Sequence, residues 1–212
     1  MPLRGFRVWR RSVRGLKRSI DIAGAAVALV IGAPFMCAIG ILIWMRMGWP
    51  VLFRQRRLGY RGAPFWLLKF RTMTDERDPS GALLPDERRL TAVGRFLRST
   101  TLDELPELVN VLRGEMSLVG PRPLVEAYRD RYTAQQWRRH EVPPGMAGPV
   151  VAYGRNSLSW EEKFRLDVWY VDNWSHWLDA KLLLLALLKV FRREGVSAAG
   201  HSTMPEFQGG SR

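Results

Sequence analysis

Thiol and imidazole groups are scarce in this chain. Its 212 residues include one cysteine, Cys37, and three histidines, His140, His176 and His201. A lone cysteine forms no intramolecular disulfide and no cysteine zinc site, and the histidines lack metal-ligand spacing. Collagen-like, disulfide-scaffold and zinc-finger readings are excluded. Acid is missing from one region. Residues 1–74 carry a single acid, Asp21, against 14 Lys and Arg. The formal charge of +13 therefore lies wholly in the first third, and the remainder is balanced. Hydrophobic residues make up 47 % of the chain, enough for a core, so it is not mainly disordered.

The same basic third holds the longest apolar run. Ile22 to Met45 contains no charge. As a straight helix it extends about 36 Å, enough for a bilayer core of roughly 30 Å. It is too long for the apolar region of a cleavable signal peptide, and no clear cleavage site follows. A buried soluble helix is disfavoured by the same length. Two membrane readings stay open. One is a single transmembrane helix. The other is a re-entrant helix that enters and leaves on one face. Pro34 divides the run and predicts a kink near its middle. Arg14, Lys17 and Arg18 precede the run; Arg46, Arg54, Arg56 and Arg57 follow it. The positive-inside rule puts basic flanks in the cytoplasm, and only a re-entrant helix satisfies both. A basic segment around an apolar one favours membrane lipid as partner over nucleic acid, for which no recognised motif is present.

Beyond the run, residues 51–73 predict two short strands around a Gly59/Gly62/Pro64 turn. Residues 74–87 read as a polar surface loop. Helices are predicted at 88–98, at 103–113, around 123–139, and from Ser159 to Trp174 with a Ser159/Glu162 capping box. Residues 142–157 read as an ordered loop. Asp179 to Arg193 predicts a strongly apolar helix, preceded by Trp169, Tyr170, Trp174 and Trp177. It is either an interfacial helix with an aromatic belt or a core helix over a Trp cluster. The tail from Gly195 reads as loosely held. The fold class is α+β and mainly α-helical: an N-terminal membrane helix, a short β-hairpin and interfacial amphipathic helices. The expected divisions are 1–47 for the basic N-terminus and membrane helix, 48–195 for a catalytic domain, and 196–212 for a tail.

Thr101-Leu102-Asp103-Glu104-Leu105-Pro106-Glu107 is the most informative stretch. Helix capping explains one acid: Thr101-x-x-Glu104 matches a capping box, or Asp103 is the N-cap with Pro106 in the first turn. The second acid is less well explained. Isolated cations surround the pair: Lys69, Arg71, Arg95, Arg98, Arg113, Arg122 and Arg155. Arg122 stands between two prolines, a restraint that suits bidentate phosphate binding. Carboxylates amid such cations suit Mg²⁺-assisted phosphoryl transfer. Taken singly, each arginine also reads as an ordinary surface residue.

Lys17-Arg18-x-x-Asp21, the Pro-broken apolar segment, Lys69-Phe70-Arg71-Thr72-Met73, Arg98-x-x-x-Leu102-Asp103-Glu104-Leu105, Asn110-Val111-Leu112-Arg113-Gly114 and Met116-Ser117-Leu118-Val119-Gly120-Pro121-Arg122-Pro123 stand in this order. Together they resemble the bacterial monotopic phosphoglycosyl transferases, the polyprenyl-phosphate sugar-phosphate transferases, and most of all their small single-domain forms. The resemblance implies a re-entrant helix, a bacterial inner (cytoplasmic) membrane location, and a catalytic domain on the cytoplasmic face. It implies Asp103 as nucleophile on the β-phosphorus of a UDP-sugar, release of UMP, and transfer of the sugar phosphate to polyprenyl (undecaprenyl) phosphate. Glu104 would assist through Mg²⁺ or proton handling, with Asp103 and Glu104 as metal ligands. Lys69, Arg71, Arg98, Arg122 and Arg155 would bind substrate phosphate. The product would open the membrane stage of a glycoconjugate pathway. A homodimer stays open. The ending Gly195-Val196-Ser197 … Gly200-His201 resembles transferases of N-acetylated UDP-sugars. Ala33 stands where the family commonly has Ser, and Pro143, Ala147, Pro149 and Val151 replace the usual Arg, Thr, Trp and Gln of a later loop. Those changes bear on sugar preference. The reading from a different class is a non-catalytic, membrane-anchored protein that binds anionic lipid or nucleotide.

Overall fold

The structure is a computed structural model that describes residues 11–154, 158–192 and 206–209. It is mainly helical, with two small two-stranded sheets.

Helix α1 (Arg11–Met47) continues through Pro34 without interruption. Its 37 residues rise about 55 Å at the usual pitch. It alone among the described helices is long and apolar enough to cross a membrane. One stripe of it, at spacings of three and four, faces the protein along its length. Ala25, Ala28 and Leu29 pack on Phe65, Leu67, Leu108 and Val111. Further on, Met36, Ile39, Ile43 and Met47 pack around Phe70 and Leu97. The remaining surface is apolar and exposed: Val27, Val30, Ile31, Phe35, Ile41 and Met45.

Polar side chains fasten both ends. Lys17 Nζ donates to Val119 O at 3.0 Å. Arg18 donates to Val111 O and Leu112 O, in the last turn of a later helix, where carbonyls lack intrahelical donors. Asp21 Oδ1 accepts from Ser117 Oγ and Leu118 N, both at 3.0 Å. At the far end Arg71 donates to Met47 O and Trp49 O.

Strands β1 (Leu52–Leu58) and β2 (Pro64–Phe70) form the expected antiparallel hairpin, with Leu52 opposite Phe70 and Leu58 opposite Pro64. The region expected to be one helix at 88–98 holds two. The single turn α2 (Asp86–Arg89) stops before Thr91, which caps α3 (Ala92–Thr100) by accepting from Gly94 N. A Cβ at Gly94 would fall 1.9 Å from Thr72 O, so only glycine lets α3 approach that strand end.

The helix expected at 103–113 starts later. Thr101 adopts a left-handed conformation with no capping bond, so the Thr101/Glu104 capping box does not form. A 3₁₀ turn covers Leu102–Glu104, and α4 (Glu107–Arg113) follows with Pro106 as N-cap. Pro106 has no N–H to continue the ladder, and the turn before it winds more tightly. Asp103 is likewise not the N-cap.

Strand β3 (Ser117–Val119) pairs in parallel with β4 (Gly145–Ala147). The single helix expected around 123–139 is broken instead. Two 3₁₀ stretches, Glu126–Arg131 and Arg138–Glu141, flank the one-turn α5 (Ala134–Trp137). Extended Tyr132 and the Thr133/Gln136 capping box force the restart. The loop expected at 142–157 contains β4 and α6 (Pro149–Tyr153).

Helix α7 (Trp160–Asn173) carries its Ser159/Glu162 capping box. Helix α8 (His176–Arg192) meets both readings of its sequence. Leu182 and Ala186 join a core with Val119, Tyr170 and Trp174, while Leu184, Leu187, Leu188 and Trp177 are exposed. Of the tail expected from Gly195, only residues 206–209 are among those described. Phe207 is buried among Tyr128, Trp160 and Phe164.

Candidate active site

Asp103 lies in the 3₁₀ turn between α3 and α4 and is 8 % exposed. Among the described residues its carboxylate has no hydrogen-bond partner or ion pair. Glu104 beside it is fully engaged. Lys69 Nζ, from β2, donates to Glu104 Oε1 at 2.7 Å. Arg122 donates to the same oxygen and, at 3.4 Å, to Oε2. Pro121 and Pro123 hold the backbone around that guanidinium.

Asn110 sets the strand-to-helix register. It is fully buried, accepts from Leu68 N at 3.1 Å and donates to Trp66 O at 2.7 Å. Those bonds fix α4 against β2, and with it the acids against Lys69. A third carboxylate, Glu107, opens α4. It is 2 % exposed, and its Oε1 lies 3.2 Å from Lys69 Nζ without an aligned hydrogen bond.

The electrostatics separate the three acids. Burial alone would raise Glu104, but the Arg122 and Lys69 charges outweigh it and hold that carboxyl well below the usual range. Burial pushes Glu107 up to about 7, with Lys69 opposing and Glu104 adding. Burial also raises Asp103, against Lys69 and with Glu104. Glu104 in turn raises Arg122. The site therefore keeps one permanently ionised acid between two cations, beside a desolvated carboxylate.

A cleft of about 1040 Å³ opens over this cluster. Lys69, Arg71, Arg98, Asp103, Glu104 and Arg122 all line it, whereas Arg95 and Arg113, also noted in the sequence, do not. Arg155 lies outside the described residues. Arg98 donates to Thr72 Oγ1 at 3.1 Å. Arg71 differs from the rest. Its guanidinium is committed to Met47 O, Trp49 O, Met73 O and Asp75.

A family model described as bacterial sugar transferase matches residues 12–193. The chain is 51 % identical over 194 residues to the uncharacterized sugar transferase EpsL of Bacillus subtilis, covering 92 % of this chain and 96 % of that one. It is 41 % identical to a UDP-glucose:undecaprenyl-phosphate glucose-1-phosphate transferase of Caulobacter vibrioides, covering 79 % and 67 % of the two chains. To an undecaprenyl-phosphate galactose phosphotransferase of Salmonella typhimurium it is 37 % identical, covering 88 % of this chain and 42 % of that longer protein.

The chain belongs to the bacterial sugar transferase family.

Some site residues of this sugar transferase escaped the sequence reading. Glu107 was absorbed into an ordinary helix start. Lys163 and Asp167 line the same cleft from α7, and the sequence reading gave neither residue a role. Their i, i+4 spacing, continuing from Trp160 at i−3, was the available signal. Arg139 and Asp167 form a buried pair at 2.7 Å that no local pattern announced.

Proposed function

We propose that this sugar transferase moves a sugar 1-phosphate from a UDP-sugar to polyprenyl phosphate and releases UMP. The names of its relatives support the class of reaction, transfer of a sugar phosphate to undecaprenyl phosphate. The observation that carries the mechanism is the contrast between Asp103 and Glu104. Asp103 is desolvated and unengaged, which suits a nucleophile, while Glu104 is held as an anion by Lys69 and Arg122.

In the first step an Asp103 oxygen attacks the β-phosphorus of the UDP-sugar. The new P–O bond forms as the bond to the bridging oxygen breaks, and UMP leaves with that electron pair. In the second step an oxygen of polyprenyl phosphate attacks the same phosphorus. The aspartyl–phosphorus bond breaks, Asp103 is regenerated, and the sugar is left on a polyprenyl diphosphate. Lys69, Arg98 and Arg122 supply positive charge to the diphosphate.

Mg²⁺ suits this donor set. The ion is commonly held by one or two carboxylates with substrate phosphate completing the shell. Asp103 and Glu104 would hold it, Glu104 by giving up part of its contact with Arg122 or Lys69. Bound there, it offsets phosphate charge.

Helix α1 acts as a re-entrant anchor in this reading. Lys17 near one end and Ile43 near the other both pack on the same domain. A helix perpendicular to a bilayer would carry one end away from it. The active cleft then lies at the cytoplasmic face of the bacterial inner membrane, and the product feeds a glycoconjugate or polysaccharide pathway.

The test is a screen of UDP-sugars with undecaprenyl phosphate and Mg²⁺ in detergent, reading UMP release and intact protein mass together. A phosphosugar adduct on Asp103 is expected. Normal turnover by Asp103→Asn would refute the nucleophile assignment.

A further inference from the structure

Arg122 faces Glu104 in the cleft from a segment that cannot hold itself. Pro121 and Pro123 have no N–H, so no regular ladder runs through residues 120–123. The carbonyls of this stretch are met from other elements instead. Val119 O accepts from Lys17 Nζ at 3.0 Å and from Tyr170 Oη at 3.2 Å. Pro121 O accepts from Gly145 N at 2.9 Å. Pro123 O accepts from Arg57 at 3.1 Å, and Leu124 O from Leu58 N at 3.0 Å. The carbonyl of Arg122 itself accepts from Arg139 at 2.7 Å.

Arg139 comes from the 3₁₀ stretch Arg138–Glu141 and is 3 % exposed. Helix α7 fixes its guanidinium in two ways. Asp167 Oδ2 accepts from Nε at 3.0 Å and from Nη2 at 2.7 Å. The group also lies over the Phe164 ring, 5.6 Å from the centroid. Asp167 is 1 % exposed, and Lys163, one turn earlier on α7, lends positive charge to the same carboxylate. Charge is therefore balanced here without any ligand. A buried pair of this kind usually stabilises a fold no more than apolar residues of similar volume. What its hydrogen bonds do fix is orientation. Nη2 is shared between Asp167 and Arg122 O, so that orientation passes directly to the backbone of the cleft cation. Both residues border the cleft but are almost wholly covered, so they reach a substrate through Arg122.

We propose that Arg139 and Asp167 are a positioning pair for Arg122, setting where its guanidinium stands against the donor diphosphate without touching substrate. This rests on the reading of the protein as a UDP-sugar-dependent transferase in which Arg122 supplies charge to the diphosphate. Arg122 is bound to Glu104 in the structure and has to meet phosphate during transfer. A long side chain that changes partner keeps its aim only if its backbone stays in place. A misplacement of about 1 Å in such a group can cost about 10²-fold in rate.

The test is a double-mutant cycle of wild type, R139M, R122M and R122M/R139M in UMP-release assays, with melting temperatures read alongside. R139M is expected to raise KM for the UDP-sugar by about 10-fold, the usual effect of losing one hydrogen bond to a charged group. KM for polyprenyl phosphate should change much less. R139K, which keeps the charge and a donor, should recover part of the loss. In the R122M background the same change at Arg139 should add nothing, because the guanidinium it aims is gone. Effects on KM that add in the double variant mean that Arg139 acts on substrate by another route, and they overturn the proposal. So does a lower melting temperature of R139M with an unchanged KM, the mark of a merely structural pair. If R139M does not fold, R139K is carried through the same cycle and read by the same additivity. If wild type released no UMP from any UDP-sugar, the transfer reaction would fall and the proposal with it; normal release with additive effects removes the positioning role alone.

Discussion

Lys17 Nζ lies 2.6 Å from Asp179 Oδ2 and ties the start of the membrane helix to α8. Asp179 is a hub. It also accepts from Tyr170 Oη at 2.6 Å and from Trp174 Nε1 at 3.1 Å. Removing the carboxylate takes the counter-ion from a buried ammonium, which keeps Val119 O, and an acceptor from two buried donors. Asp179→Ala should therefore cost about 3–5 kcal/mol, the usual range for breaking a buried pair from one side. Lys17→Met should cost less, because Asp179 keeps two neutral donors. Thermal unfolding in detergent or nanodiscs measures both, and equal melting temperatures for the three proteins would contradict the hub.

The proposed catalytic pair, Asp103 and Glu104, should respond in two different ways. Asp103→Asn removes the attacking oxygen and should lower UMP release by about 10³-fold or more, with no protein adduct. Glu104→Gln keeps the nucleophile but releases Lys69 and Arg122 from their shared anion. A loss of about 10²-fold is expected, within the range for disrupted electrostatic preorganisation. The adduct should still form slowly. Absence of adduct in Glu104→Gln over long incubation would count against the division of roles.

Glu107 predicts a pH dependence of stability. Its proton is held more tightly in the folded protein, with a pKa raised from 4.5 to about 7. The contribution is complete below the unfolded value and is lost as pH rises through about 7. Between pH 5 and pH 8 the wild type should lose on the order of 2 kcal/mol relative to Glu107→Gln, which carries no titrating group there. Melting curves of both proteins at the two pH values decide it. Parallel changes would mean that Glu107 does not titrate in this window.

Arg71 and Arg122 were both expected to bind substrate phosphate, and their surroundings now separate them. Arg71 binds the backbone at the end of α1, whereas Arg122 faces Glu104 in the cleft. Arg71→Met should lower the melting temperature by several degrees, as loss of several guanidinium bonds implies. Arg122→Met should chiefly raise KM for the UDP-sugar. A melting temperature unchanged by Arg71→Met, together with a raised KM, would return Arg71 to the substrate.

What could be read in advance follows from the range of each interaction. The α1 run, the hairpin and the Ser159/Glu162 cap are written in neighbouring residues, and all three stand in the structure. The acid pair drew notice because helix capping explains one of two adjacent carboxylates and leaves the second less well explained, and the structure places both in the cleft. The start of α4 was misread because two local caps, Thr101 and Asp103, competed on paper and the Pro106 ladder break overrode both. Lys163 and Asp167 were invisible for another reason. Their meaning depends on Arg122 and Arg139, brought in from other segments, and a lone lysine on a helix says nothing of the cleft behind it.

Topology offers the most direct test of the anchor. Ser19 and Arg54 are exposed on either side of the apolar run, and Cys37 is the one native thiol. In a Cys37→Ala background, single cysteines at Ser19 and Arg54 give two independent probes. A re-entrant helix puts both flanks on the cytoplasmic side, as their positive charge favours. An impermeant maleimide should then label both in inside-out vesicles and neither in intact spheroplasts. A spanning helix would expose one flank to each side, and labelling of the two cysteines from opposite faces would refute the re-entrant form. Native Cys37, within the apolar run, should resist the reagent in both preparations and react after detergent is added. The exposed stripe of Val30, Ile31 and Phe35 makes the same demand, because an apolar surface of that size needs lipid around it.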